Sequence, residues 1–248
     1  MFWEEEKNET TGYQVPDDVV DLVYHISCRC LPLDHAHSFS RAVRQHLSWM
    51  DEEEQAGIHL IHGAESGNGW MRPDDTENQL LHLSRRSRMT LRVPRHRIDA
   101  AQRLSGQTLD IDGYSLEVGE SKVRLFSTLP TQFARYVVVP QGISHADEEA
   151  FMAYAAAQLR ELGIRVRKLL CGRAHAIRHP DGDLYTRSVM LADLEKEEAV
   201  LLQQQGIGQH KKIGCGLFIP HKGIKAVHQM TAQETIAFHS TCSLNIET

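Results

Sequence analysis

Apolar and polar positions alternate over residues 19–30, and the run is rich in β-branched side chains, which predicts a half-buried strand. Pro32 and Asp34 interrupt it. Phe39, Ala42, Val43, His46, Leu47 and Met50 then fall on one helical stripe, which predicts a helix that Asp34 caps and that runs to about Trp49. Residues 58–61 read as a short strand and 64–79, rich in Gly, Asn, Asp and Pro, as a loop. Residues 89–93 predict a strand, and Pro94 opens a helix ending near Leu104. Segments 107–111 and 114–118 predict a hairpin turning at Asp112-Gly113.

The same order then recurs. Residues 133–139 predict a strand, 145–162 an alanine-rich amphipathic helix, 165–171 and 185–191 strands, and 217–219 a last short strand. Between the last two strands, Asp193 opens a helix to about Gln205. Two successive βαββαβ units predict an α+β protein of tandem ferredoxin-like (RRM-like) folds. The expected division is an acidic extension over 1–18, a first unit over 19–120 and a second over 121–248. The stretch 221–248 reads as an extra strand or a docking arm.

Composition narrows the class. The 248 residues suffice for two small cores. No apolar run approaches the ~20 residues that span a bilayer, so no membrane partner is expected. The start, Met1-Phe2-Trp3-Glu4-Glu5-Glu6, is acidic where a secretory leader is basic and then apolar, so a cytoplasmic location is expected. The five cysteines form no CxxC pair, and they read as reduced thiols rather than as a zinc site.

Net charge is −6, yet residues 1–21 alone carry seven acids against Lys7, so the rest of the chain is neutral. Its cations are clustered: Arg85, Arg86, Arg88, Arg92, Arg95, Arg97 and Arg103 in one window, and a second group from Arg160 to Arg178. Local basic surfaces of this kind suit a polyanion. A third cluster lies in Gly206-Ile207-Gly208-Gln209-His210-Lys211-Lys212-Ile213-Gly214-Cys215-Gly216, continued by Lys222 and Lys225. Here glycine pairs flank a histidine and two lysines, between a predicted helix and a predicted strand. Nucleotide P-loops have the reverse order, strand before helix, so the expected phosphate belongs to a polymer. The competing reading is a glycine hinge required by packing between the two units.

Tandem ferredoxin-like units with a G-h-G-x5-G-h-G loop (h, apolar) ahead of the last strand resemble the repeat-associated mysterious protein (RAMP) superfamily. Within it, the chain resembles the CRISPR precursor-RNA processing endoribonucleases, of the branch first named from a myxobacterial subtype. Leu31-Pro32-Leu33-Asp34-His35, the run from Leu83 to Pro94, and Gly119-Glu120-Ser121-Lys122-Val123-Arg124 carry the same resemblance. It implies cleavage of a CRISPR repeat at the base of its hairpin, with no metal or other cofactor, leaving 5′-hydroxyl and 2′,3′-cyclic phosphate ends. It also implies partners: the repeat hairpin and its guide RNA, and the other subunits of a type I interference (Cascade) complex. A non-catalytic guide-RNA-binding subunit of the same superfamily is the alternative.

Such cleavage needs a base for the 2′-hydroxyl, an acid for the 5′-oxygen and positive groups around the phosphorane. Histidine suits the proton transfers because its ordinary pKa lies near neutrality. The chain has fifteen histidines. The resemblance places the catalyst in or near the first helix, which makes His35, beside Asp34 at the helix start, the first candidate. His37 is the second, and His46, on the apolar stripe, reads as a core residue. Arg85, Arg86 and Arg88 are expected to grip the hairpin backbone. Gly206, Gly208, Lys211, Lys212, Gly214 and Gly216 are expected to hold RNA phosphates. His35-x-His37, His59-x-x-His62 and His175-x-x-x-His179 also raise a metallohydrolase reading, although no complete ligand motif is present.

Overall fold

The computed structural model describes residues 13–62 and 79–222. The acidic stretch 1–12, most of the expected loop over 64–79, and the tail 223–248 with Lys225 lie outside the described residues.

The first unit contains β1 (Val19–Ser27), β2 (Cys30–Pro32), α1 (Ala36–His46), β3 (Gly57–His59), β4 (Leu80–His82), β5 (Arg88–Pro94), α2 (Ile98–Gln102), β6 (Thr108–Ile111) and β7 (Tyr114–Arg124). Five of these strands form an antiparallel sheet in the order β3-β5-β1-β7-β6. The second unit contains β8 (Gln132–Val138), α3 (Glu148–Glu161), β9 (Lys168–Ile177), β10 (Leu184–Ala192), α4 (Lys196–Gln205) and β11 (Ile219–Pro220). Its sheet runs β11-β8-β10-β9. With β6 set aside, in both sheets the first strand pairs with the third and fourth (β1 with β5 and β7, β8 with β10 and β11), as two interleaved βαβ crossovers require. The fold is therefore a tandem ferredoxin-like α+β architecture, with β6 added at one edge of the first sheet.

Several boundaries differ from the sequence reading, each for a local reason. The strand expected over 19–30 is two strands. β1 ends at Ser27, and β2 pairs separately with β4, Leu31 opposite Leu81. Asp34 does not cap α1. His35 holds the cap position at φ −90°, ψ 0° without a side-chain cap hydrogen bond. The Asp34 carboxylate instead accepts from the Arg178 amide at 3.2 Å, in the other unit. α4 is opened by a capping box between Glu195 and Glu198, while Asp193 occupies a left-handed turn at φ 62°. β7 continues to Arg124, opposite Asp21 on β1, so the first sheet extends past residue 120 and the inter-unit link is 125–131. The hairpin turn at Asp112-Gly113 has positive φ at both residues, as expected.

The two units share a core. Val20, Leu22 and Tyr24 of β1 bury against Phe39 and Val43 of α1, and the same cluster takes in Tyr136, Ile177, Ile213 and Cys215 of the second unit. Burial pushes the Cys215 thiol up to about 12, so it stays protonated and packs as a small apolar group. A second cluster, around Phe151, Leu159, Leu202 and Phe218, fills the space under α3 and α4.

One buried ionic group joins the units. Arg92, on β5, is 1% exposed. Its guanidinium donates to Asp21 Oδ1 at 3.0 Å, to the Phe218 carbonyl at 3.0 Å and to the Gln203 carbonyl. Arg124 donates to the second Asp21 oxygen at 3.0 Å, and His59 lies 3.6 Å from the first. Burial alone would raise the Asp21 carboxyl. The Arg92 charge, with the His59 contact, overcomes that and holds it well below the usual carboxylate range.

Candidate functional site

The glycine loop connects α4 to β11 and is folded back on itself. Gly206, Gly208, Gly214 and Gly216 all have positive φ, between 61° and 88°. The Ile207 amide donates to the Gly216 carbonyl at 3.1 Å, and the Gly216 amide to the Tyr136 carbonyl at 2.6 Å. A Cβ on Gly206 would run into the Gly216 carbonyl oxygen, and one on Gly216 into the Ile207 carbonyl oxygen. At Gly214 it would lie 2.5 Å from Leu60 Cγ and 3.2 Å from the Ile58 carbonyl oxygen, both in the first unit. Close backbone packing, within the loop and across the units, therefore accounts for three of the glycines. The 3-10 turn Lys211–Ile213 between the glycine pairs rests on α1 and β3. Lys211 is half-buried there. Burial first, then the charges of Lys212 and Arg92, lowers its pKa from the ordinary lysine value.

That packing sets three histidines in a row. His37 comes from α1, His179 from the loop after β9, and His210 from the glycine loop, where it adopts a left-handed conformation at φ 65°. The His37 and His179 rings meet edge to face with centroids 5.2 Å apart, and His179 and His210 are 5.9 Å apart. His37 and His179 line a cleft of about 640 Å³ between the units, with Asp34, Tyr114 and Arg178. Asp34 draws the two walls together, through the Arg178 amide and an approach of 3.9 Å to the Arg178 guanidinium. Burial, then the charges of His179 and Arg41, pushes the His37 imidazole below its usual range despite Asp112 nearby. Burial and His179 lower His210 in the same way. The shift favours the neutral form of His37 near pH 7. The Asp181 amide donates to His179 Nδ1 at 3.3 Å, so a neutral His179 carries its proton on Nε2.

The remaining sequence candidates sit elsewhere. His35, immediately before α1, is 3% exposed. Its Nδ1 donates to the Pro32 carbonyl at 2.9 Å, and its ring stands edge-on to Phe39 at 6.0 Å. It pins the chain entering the helix and does not line the cleft. His46, expected in the core, is exposed at the end of α1. Arg85 and Arg86 project from an exposed turn between β4 and β5, while Arg88 braces that turn by donating to the Arg85 and Ser87 carbonyls at 3.0 and 2.8 Å. Their turn follows β4, whose Leu80 lines the cleft. His59 is half-buried beside Asp21, so it belongs to the Arg92 group. Among the described residues no three His, Cys, Asp or Glu side chains converge so as to hold a metal ion, and no helix is long and apolar enough to cross a membrane.

His179 as a partner of His37 was not assigned from the sequence, and neither was the proton-transfer setting of His210. Nothing in their spacing reports it: residues 179 and 210 lie on separate loops of the second unit, and residue 37 reaches them only when the units dock.

Comparison with known proteins bears on the family and the fold. The family model described as Cas6 Crispr matches residues 20–223. A CRISPR-associated endonuclease Cas6 of Myxococcus xanthus (strain DK1622) is 29% identical over 201 residues, covering 81% of each chain. A solved CRISPR-associated protein Cas6 superimposes with a TM-score of 0.57 at 9% identity, covering 82% of this chain and all of the other. The product of a Cas6-related gene from Pyrococcus furiosus gives 0.52 at 11% identity over 83% of this chain and all of the other. At such identities the two structures bear on the fold.

Proposed function

The chain belongs to the Cas6 family of CRISPR proteins, and from that membership and the histidine row we propose that it is an endoribonuclease cutting CRISPR precursor RNA within the repeat. The observation that carries this reading is the contact of His37 with His179 at the wall of an inter-unit cleft, which sets two imidazoles side by side. The scissile phosphate enters the cleft beside both rings. Neutral His37 takes the proton of the ribose 2′-hydroxyl upstream of the cut, and the 2′-oxygen bonds to phosphorus in line with the leaving 5′-oxygen. A protonated His179 gives its Nε2 proton to the departing 5′-oxygen as the P–O5′ bond breaks and is left as the neutral imidazole. The products are a 2′,3′-cyclic phosphate and a 5′-hydroxyl, with no metal required. Arg178 at the cleft, and Lys211 and Lys212 on the turn behind it, supply positive charge for the developing phosphorane.

His35 serves this site as a positioning residue, by fixing the start of the helix that presents His37. Gly206, Gly208, Gly214 and Gly216 form the compact turn that carries the lysines and His210. Arg85, Arg86 and Arg88 lie beyond the cleft, where phosphates of the repeat hairpin would reach them, and the mature guide RNA stays bound within the Cascade complex.

Since the His37 pKa lies below the ordinary imidazole value of about 6.5, its base form should predominate at neutrality. The base-dependent limb of single-turnover cleavage is expected to rise with pH through the acid range, with its midpoint below that ordinary value. A base-dependent limb centred above pH 7 would remove His37 from the role.

A further inference from the structure

A second cavity, of about 630 Å³, lies on the other side of the His179–His210 contact. His210 lines it, so it opens next to the cleft where the proposed reaction occurs. Its size falls within the roughly 300–1,000 Å³ of small-ligand sites. On its wall the rings of His145 and Tyr185 stack, with centroids 4.4 Å apart and planes 12° from parallel. Both are exposed: Tyr185, on β10, is 44% accessible. An aromatic pair left in solvent beside a reaction site presents π-faces for which the described chain supplies no further cover.

The pair is held in place from behind. Arg187, two residues further along β10, is 6% exposed. Its guanidinium donates to the His145 carbonyl at 3.0 Å, to the Gly172 carbonyl at 3.0 Å and to Glu148 at 3.2 Å. These bonds tie the loop carrying His145 to β9, β10 and the start of α3, so the platform exists before any ligand arrives. Opposite the platform, Gln209 and the Tyr154 ring complete the wall, and Asp181 and Asp183 line the rim. Two carboxylates repel a phosphate and accept hydrogen bonds from an exocyclic amine.

We infer that this cavity is a nucleobase pocket: it takes one unpaired base next to the scissile phosphate, stacked on the Tyr185–His145 pair, and favours an amino-bearing base over uracil. The inference rests on the proposed endoribonuclease reading. A base held there fixes the sugar–phosphate that follows it against the histidine row, which is how a remote contact contributes to in-line alignment.

The test scans single abasic nucleotides through the positions flanking the cut of the cognate repeat RNA, in wild-type protein and in Tyr185→Ala and Tyr185→Trp, with binding and single-turnover cleavage measured separately. One abasic position should weaken wild-type binding by roughly ten- to a hundred-fold, the scale of one base–aromatic stack. Tyr185→Ala should lose the same factor on intact RNA and become indifferent to that abasic site, while Tyr185→Trp restores the discrimination. Because Tyr185 is exposed on the sheet, its removal opens no core cavity, and circular dichroism checks that both variants fold. If wild-type protein cuts the repeat but no abasic position distinguishes it from Tyr185→Ala, the pocket is wrong and the endoribonuclease reading stands. If wild-type protein neither binds nor cuts the repeat, both fall.

Discussion

His37→Ala is expected to slow cleavage of the repeat RNA by about 10²–10⁴-fold, the range that one positioned general base contributes, while affinity for uncut RNA stays nearly unchanged. The side chain lies at the wall of the cleft and touches His179 edge to face, so its loss removes a proton acceptor without opening the hydrophobic core. His35→Ala should behave in the opposite way. His35 is buried against Phe39 and hydrogen-bonded to the Pro32 carbonyl, so its removal leaves a void at the start of α1. Thermal stability should fall, and the protein that remains folded should keep most of its single-turnover rate. Comparing the two variants by single-turnover rate per folded molecule separates the roles. A folded His35→Ala protein with no cleavage, beside an active His37→Ala, would reverse the assignment.

Arg92→Met should destabilise the protein by about 3–5 kcal/mol at pH 7, the usual cost of breaking a buried charge pair from one side. The substitution leaves the buried Asp21 carboxylate with only Arg124 and His59 and withdraws the donor from the Phe218 and Gln203 carbonyls, so β5 loses these bonds to the second unit. The pH dependence carries a sign. In wild type the Asp21 pKa is depressed in the fold, so its contribution is complete above the unfolded value of about 3.9 and is lost as pH falls toward the lower folded value. In Arg92→Met burial is no longer offset by the Arg92 charge, so the carboxyl titrates higher than in wild type and the folded variant binds a proton more readily than the wild-type fold. The gap between variant and wild type should therefore narrow as pH drops from 7 toward 4.5. Urea unfolding at both pH values measures it. A gap that is small at pH 7, or that widens on acidification, would mean that Arg92 does not act through Asp21.

The fold was legible in the sequence because it is written in local signals. Alternating β-branched positions gave β1, the Asp112-Gly113 pair gave the hairpin, and the repeated βαββαβ order gave two units. The errors fell where tertiary contacts outrank local preference. Asp34 looks like a helix cap by type and place, yet its carboxylate is drawn to the Arg178 amide across the domain interface. Val19–Ser27 has polar members that a half-exposed strand would turn to solvent, but Asp21 is buried because Arg92 and Arg124 reach it from β5 and β7.

The site was legible only in part. Of the two histidines the sequence singles out at the start of the first helix, the structure buries His35 and sets His37 on the cleft wall. Their ranking depended on which way each ring faces, and this is set by β2, which bends the chain so that His35 turns inward and His37 meets the second unit. The glycine loop suggested a phosphate clamp from its composition. Three of its glycines are required by contacts with the Gly216 and Ile207 carbonyls and with Ile58 and Leu60, and the same loop sets His210 against His179 beside the cleft. His179 carries no local mark in the sequence, since its chemistry comes from the Asp181 amide at Nδ1 and from a partner more than a hundred residues away.

Cleavage of two matched repeat RNAs in EDTA bears most directly on the proposed chemistry: one all-ribose, the other carrying a single 2′-deoxyribose at the nucleotide before the cut. Attack by the 2′-hydroxyl predicts that the first is cut to a 2′,3′-cyclic phosphate and a 5′-hydroxyl, and that the second stays intact. Cutting of the deoxy-substituted RNA at the same bond, or an all-ribose RNA that is cut only when a divalent metal is restored, would contradict it.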